Sequence, residues 1–315
     1  MHPFSQTPLR PEALHIPDGF LNVPISVVFW LATLLVAGLA LRRIDRTDME
    51  RTTPLMGIMA AFIFAGQMIN FPIAGGTSGH LLGGVLAVFT LGPWGGILVM
   101  TTVVGVQALI FQDGGLLALG ANIFNMGVLT VVVGAAAHAM TRGRSANTHL
   151  IAAGVAAWLS VLAGAVATAL QLWLSGSADL GLVMPVMVGV HAVIGLGEAL
   201  ITVAALAFIR RSRPGLFETE RAAPAGGWIL PGLMVTGAVL LLAPFASASP
   251  DGLERVAEDL GFIAAAQDPV LNLLPDYTIP AIGETALSSI AAGVVGVILI
   301  LLLFYALGRA RQREA

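Results

Sequence analysis

Long apolar runs constrain the fold of this sequence more than any other feature. They cover about residues 22–41, 54–72, 81–111, 117–140, 150–174, 183–209, 227–246 and 286–308. A helix needs roughly 20 apolar residues to cross the hydrocarbon core of a bilayer. With 57% hydrophobic and 10% charged residues, the chain has more apolar surface than water tolerates. We therefore predict an all-α, polytopic membrane protein.

The distribution of basic residues predicts how the chain crosses the membrane. All 15 basic residues are arginines, and most lie in four clusters that the positive-inside rule assigns to the cytoplasm. The clusters are Arg42, Arg43, Arg46 and Arg51; Arg142 and Arg144; Arg210, Arg211, Arg213 and Arg221; and Arg309, Arg311 and Arg313. All four fall inside only if the run 81–111, which contains Gly92-Pro93, forms two helices. This gives about nine helices, with the N-terminus outside and the C-terminus inside.

The same pattern predicts the domain organisation. The first span precedes its arginines, unlike a signal peptide, so it is expected to be retained. A seven-helix unit should end near residue 212, followed by a Pro- and Gly-containing cytoplasmic linker over 213–226 and a two-helix appendage over 227–315. The outer connection of this appendage, residues 247–285, is acidic. Either it concentrates cations or it is only a solvated connector.

Two histidines are predicted to lie at the outer ends of helices. His15 precedes the first span, and His80 closes the loop "FPIAGGTSGH" at 71–80. The glycines of this loop allow a tight turn and a close approach to another backbone. Thr77 and Ser78 carry hydroxyls that could cap the next helix or orient a ligand. Irregular backbone at membrane depth must be buried or line a cavity, so His80 either belongs to a site or merely caps that helix.

Further polar residues lie inside the predicted spans. Asn122 and Asn125 are one helical turn apart and share a face, where they either join helices or approach a site. His191 and Glu198 lie two turns apart on another helix. Glu198 is a carboxylate deep within a span, which suggests function, but we expect it in the cytoplasmic half, far from His15 and His80. Cysteine is absent, which excludes thiolate zinc sites and iron–sulfur clusters.

Four ordered motifs resemble the CbiM/NikM family of substrate-capture components from cobalt and nickel energy-coupling-factor (ECF) transporters. They are "HIPDGFL" at 15–21, "NFPIAGGTSGHLLGG" at 70–84, "ALGANIFNMG" at 118–127 and "GVHAVIGLGEALIT" at 189–202. The resemblance covers residues 14–212. In the appendage, "SPDGLE" at 249–254 and "PDYTIPAIG" at 275–283 resemble the PDGLE-type component, which is NikN- or CbiN-like. The chain is therefore similar to a fusion of the two components.

The resemblance implies a square-planar metal site with four nitrogen ligands. His15 would supply its imidazole and its deprotonated amide nitrogen, His80 a second imidazole, and Leu14 a terminal amine. Planar nitrogen donors favour nickel(II) or copper(II), and cobalt(II) is also compatible. Residues near this site, or along the ion pathway, would be Asn70, Thr77, Ser78, Asn122, Asn125, His191 and Glu198.

Leu14 departs from the family pattern, because residues 1–13 precede it and leave it without a free amine. Three explanations stay open. Translation starts at position 14, a protease removes the leader 1–13, or the site uses a changed donor set. The written chain also begins Met1-His2, which could form the same chelate.

The resemblance implies uptake of nickel or cobalt across the inner membrane of a bacterium, and the PDGLE-type fusion favours nickel. No GxxxxGK[ST] motif occurs in the sequence, so energy should come from a CbiQ/NikQ-like coupling protein and a CbiO/NikO-like cytosolic ATPase. We expect no permanently bound cofactor, no nucleic-acid partner and no enzymatic activity of its own. Because metal ligands must be deprotonated, affinity for the metal should fall as the pH drops.

The polar residues are also compatible with two other functions. An intramembrane metalloenzyme would bind one catalytic metal through His15, His80, His191 and Glu198, but the expected depth of Glu198 argues against this. A passive cation channel would admit metal without the ATPase partners.

Overall fold

The computed structural model describes residues 15–44, 46–212 and 226–313. Helices form nearly all of the regular structure there. They are α1 (Val23–Arg43), α2 (Arg46–Gln67), α3 (Gly84–Val106), α4 (Leu119–Ile123), α5 (Thr130–Met140), α6 (Ala146–Leu174), α7 (Leu180–Ser212), α8 (Gly226–Leu240), α9 (Gly252–Asp259) and α10 (Ala286–Arg313). π-Helical turns at Gln107–Phe111 and Phe124–Leu129 extend α3 and join α4 to α5. Short strands β1 (Phe71–Ile73) and β2 (Thr77–Gly79) form an antiparallel hairpin.

The helices have the lengths that a membrane requires. Six described segments are long and apolar enough to cross it, and two shorter apolar helices accompany them at Thr52–Gln67 and Ile229–Phe245. Many exposed side chains on α1, α7 and α10 are aliphatic, which suits contact with lipid. The prediction of an all-α, polytopic membrane protein is confirmed, whereas the side of the membrane on which each end lies stays a prediction.

The segment Gly84–Phe111 is a helical hairpin. Gly92 has φ 73° and ψ 174°, which interrupts the helix before Pro93. A Cβ atom on Gly96 would lie 3.5 Å from the amide nitrogen of Val88, although eight residues of one straight helix span about 12 Å. The predicted break is confirmed. The first arm, Gly84–Leu91, is nevertheless too short to cross the membrane alone, so the preceding loop must enter the bundle.

The outer connection of the appendage packs against the rest of the chain. α8 and α10 contact α2, and Leu253, Val256 and Ala257 of the short helix α9 are buried. Main-chain hydrogen bonds join this connection to the seven-helix unit, from Ser247 to Asn70 (2.8 Å), Gln267 to Asp18 (2.8 Å) and Leu274 to Ile110 (3.1 Å). The alternative in which residues 247–285 are only a solvated connector is therefore wrong, because the short amphipathic helix α9 buries its apolar face here.

Candidate metal site

The segment that carries His15 is held by Asp18. The Asp18 carboxylate accepts hydrogen bonds from the amides of Leu116 (3.0 Å), Leu117 (2.8 Å) and Ala118 (3.1 Å). These amides precede α4, where a helix has unpaired N–H groups and favours negative charge. Asp18 is buried. The "HIPDG" motif therefore includes the anchor that fixes this segment on the bundle.

Asn122 holds the same segment from a second direction. Its Oδ1 accepts from the Ile16 amide and its Nδ2 donates to the Ile16 carbonyl, both at 3.0 Å. The Gly115 amide also donates to that carbonyl at 3.0 Å. Side chains on Gly114 or Gly115 would collide with His15 or with Asp18. Asn122, predicted to lie near the site, thus positions the backbone beside His15.

The two predicted histidine ligands meet. The ring centroids of His15 and His80 lie 5.7 Å apart, with an angle of 73° between the ring planes. His80 directly follows the hairpin, whose turn contains Gly75 and Gly76 with φ of 96° and 72°. The N-cap of α3 is Gly83, so the alternative in which His80 merely caps this helix is wrong.

The hydroxyls of the hairpin have a different role from the one expected. Thr77 Oγ1 donates to the Pro250 carbonyl at 3.1 Å, and Ser78 Oγ donates to the Ser249 carbonyl at 2.8 Å. The Ser78 amide also donates to Pro250, at 2.8 Å. Both residues therefore join the His80 loop to the "SPDGLE" turn and cap no helix.

Three imidazoles in this region make the same kind of hydrogen bond. Nδ1 lies 3.1 Å from the Asp113 carbonyl in His15, 2.9 Å from the Leu81 carbonyl in His80, and 2.8 Å from the Met187 carbonyl in His191. Because a carbonyl oxygen only accepts, each neutral ring carries its hydrogen on Nδ1 and its lone pair on Nε2. Metal-binding histidines commonly have this arrangement. Within the described chain, Nε2 of His15 is buried without a hydrogen-bond partner.

Asp113 stands behind His15 and was missing from the predicted site. Its Oδ1 lies 2.7 Å from Nδ1 of His15, and both side chains are buried. Burial alone would lower the pKa of His15, but the charge of Asp113 and its hydrogen bonds raise it above the ordinary value. Burial would raise the pKa of Asp113, yet the His15 charge and its hydrogen bonds lower it. Asp113 is therefore a carboxylate, which makes the imidazole more basic.

Glu198 lies closer to the site than its position in the sequence suggests. Its carboxylate accepts from the amides of Leu82 (2.6 Å) and Gly83 (3.0 Å), immediately after His80. The expectation that Glu198 lies far from His80 is wrong, because the loop that follows His80 packs against α7. Glu198 satisfies two buried amides there. This contact favours a structural pairing over direct ligation.

The remaining predicted residues surround these groups. Asn125 exchanges two hydrogen bonds of 2.8 Å with Gln171, and it donates to Thr168 at 3.1 Å. The main-chain carbonyl of Asn70 accepts from Ser247. Asn125 thus joins helices next to the site, and Asn70 joins the hairpin to the appendage.

A cavity of about 90 Å³ lies between these side chains. Its lining includes His15, His80, Asn122, Asn125, His191 and Asp251. Asp251, which was also missing from the predicted site, accepts from the Glu254 amide at 2.7 Å and caps α9. Burial raises the pKa of Asp251 to about 7. No local spacing links it to the histidines, although it belongs to the "PDGLE" motif that the sequence singled out.

The donor set is incomplete in the described residues. Among them, no group of three His, Asp or Glu side chains converges closely enough to hold a metal ion. His15 and His80 could provide two imidazole nitrogens, and a four-coordinate ion needs two more donors. Leu14, whose amine the resemblance implies as a ligand, lies outside the described residues, as do Met1-His2 and the leader 1–13.

Residues 15–216 match the CbiM family, described as the cobalt uptake substrate-specific transmembrane region. The chain belongs to this family. Residues 227–313 of this CbiM-family chain match the PDGLE domain.

Named proteins are similar to this chain over most of its length. A relative from Archaeoglobus fulgidus, provisionally named as the fused nickel transport protein NikMN, is 38% identical, over 94% of this chain and 98% of its own length. The fused nickel transport protein NikMN of Rhodobacter capsulatus is 33% identical over 73% of this chain and 72% of its own. The crystal structure of a truncated transition metal transporter is similar, with a TM-score of 0.55 and 32% identity, over 63% of this chain and 99% of its own.

Proposed function

We propose that this protein captures nickel(II) or cobalt(II), with nickel favoured, as the membrane substrate-binding component of an ECF transporter. The observation that carries the proposal is the meeting of His15 and His80 at one cavity, where the hydrogen bond of each Nδ1 leaves Nε2 as the nitrogen that can bind an ion. Imidazole nitrogens suit both ions. The nickel-transport names of the two fused relatives support the same conclusion.

The division of labour follows the two units. Residues 14–212 form the capture unit, 213–226 the cytoplasmic linker, and 227–315 the PDGLE unit. The contacts of Thr77 and Ser78 with the 249–250 turn support a role for the second unit at the mouth of the site. The ion is cargo, and no resident cofactor is required.

The donor set depends on where the mature chain begins. The chelate implied for Leu14 and His15 needs Nδ1 of His15, because Nε2 cannot reach an ion bound to the amide of the same residue. Here Nδ1 faces Asp113, so this chelate would require the ring to rotate. A site on Nε2 uses the ring as it stands and needs no terminal amine, but it requires two donors besides the two imidazoles.

Mass spectrometry of the intact, membrane-extracted chain, expressed from its genomic start, distinguishes these donor sets. A mature chain that begins at position 14 would retain the chelate as a candidate. A chain that begins at Met1 would exclude an amine at Leu14. Because the described geometry fits the Nε2 site, we expect nickel binding in either case.

Uptake tests the function as a whole. With a coupling protein and a cytosolic ATPase of the CbiQ/NikQ and CbiO/NikO type, cells that express the chain should accumulate radioactive nickel. Without these partners, sustained accumulation should be lost. Equal accumulation without them would instead indicate a passive channel, and a metal-dependent product formed by the purified chain would indicate an enzyme. Fractionation of the same cells tests the proposed inner-membrane location.

A further inference from the structure

One phenol of the PDGLE unit lies behind the proposed ligand His15. The hydroxyl of Tyr277 donates a hydrogen bond of 2.6 Å to Oδ2 of Asp113. The other carboxylate oxygen, Oδ1, lies 2.7 Å from Nδ1 of His15. All three side chains are buried. Tyr277, Asp113 and His15 therefore form a continuous chain of contacts from the appendage to the proposed ligand.

We propose that Tyr277 is a positioning residue for metal capture, which acts through Asp113 to hold the His15 ring with Nε2 directed at the ion. The inference deepens the proposed function and rests on it. A carboxylate behind a ligand histidine fixes the ring and makes it a stronger donor. If Tyr277 fixes that carboxylate, the site is complete only while the PDGLE unit is docked.

The surroundings of Tyr277 leave its hydroxyl little freedom. The ring stacks on Phe111, with centroids 4.7 Å apart and planes 13° apart, and it contacts Phe64. Burial, followed by the charge of Asp113, raises the pKa of Tyr277 well above its ordinary value. The phenol therefore keeps its proton and remains a donor at any physiological pH.

The backbone at this contact is strained on both sides. In the described part of the chain, the non-glycine residues with positive φ are Gln112 (62°), Asp276 (50°) and Tyr277 (53°). One precedes Asp113, and the other two are Tyr277 and its neighbour. Non-glycine residues avoid this conformation unless the surrounding structure imposes it, and such strain clusters at functional sites. Gln112 also donates to Asn272 at 3.3 Å, a second link between the same two segments.

Tyr277→Phe tests the role, because it keeps the stacked ring and removes only the hydroxyl. Nickel(II) titration of the purified full-length chain should give a Kd raised about 10-fold, at the lower end of the range for partners of metal ligands. The absorption spectrum of bound nickel should also change, since the ring is less well oriented. Tyr305→Phe is the matched control, because Tyr305 is exposed on α10, and it should match the parent chain.

A double-mutant cycle separates positioning from general stability. In an Asp113→Ala background, or in Asp113→Leu if that variant folds poorly, Tyr277→Phe should have no further effect on nickel affinity. Independent effects of the two substitutions, or an unchanged or lower Kd for Tyr277→Phe alone, would overturn the proposal. His15→Ala in the same assay distinguishes the two failures. If His15→Ala still binds nickel normally, the proposed site itself is wrong. If His15→Ala loses binding but Tyr277→Phe binds normally, only the positioning role is rejected.

Discussion

His15→Ala and His80→Ala should each raise the Kd for nickel more than about 100-fold. Removing a partner of a metal ligand already costs 10- to 100-fold in affinity, and these substitutions remove the ligand atom itself. Either substitution alone should produce this loss of affinity, because the two rings meet at one cavity and neither alone can hold the ion. Nickel titration of the purified full-length chain measures the effect, and cobalt should follow the same order.

His149→Ala supplies a matched control at another place in the fold. The His149 ring packs against His138 and Phe89, with centroids 5.1 Å and 4.8 Å apart, and contacts neither proposed ligand. Its loss should leave nickel affinity within about twofold, close to the scatter expected for distant sites. Normal nickel affinity in His80→Ala would contradict the proposed function, because His80 would then not be a ligand.

The membrane fold could be predicted because apolar length is a local property. Runs such as 150–174 and 286–308 became α6 and α10 with small changes at their ends. The hairpin over Gly84–Phe111 was also predictable, because Gly92-Pro93 interrupts a run that is too long for one span. The packing of 247–285 was not. Its buried face consists of a few side chains on α9, a helix of only 8 residues, which is too short for a clear periodic signal.

The site residues that belong to family motifs could be predicted, whereas those that join the site through long-range contacts could not. His15 and His80 followed from the resemblance, and the structure brings them together. Asp113 is 98 residues from His15 and 164 from Tyr277, so no spacing in the sequence connects the three. The position of Glu198 was not predictable for a related reason. The sequence gives its place along its own helix, but not the contact that the loop after His80 makes with it.

Asp18→Ala should weaken nickel binding by up to about 100-fold, although Asp18 is not a proposed ligand. Its carboxylate accepts three amide hydrogen bonds, of which the one from Ala118 is buried and the other two are partly buried. Each bond to a charged group contributes about 1.5–3 kcal/mol, and water entering the gap should recover part of that. A net loss of about 3 kcal/mol would shift the docked segment roughly 100-fold towards release. Because His15 faces His80 only when the segment is docked, the apparent affinity should fall in proportion to the docked fraction, which sets about 100-fold as the upper bound.

Graded variants distinguish docking from a general loss of folding. Asp18→Asn keeps one oxygen, which can still accept from two amides, but it turns an NH₂ group towards the third, so it should lie between the parent and Asp18→Ala. Asp179→Ala is the matched control, since Asp179 accepts from the Gly181 amide at 2.9 Å in an exposed turn, and it should change affinity less than twofold. If Asp18→Ala binds nickel normally, His15 reaches the ion without a docked segment. The anchor would then stabilise the fold alone, and capture would not depend on the closed arrangement of this loop.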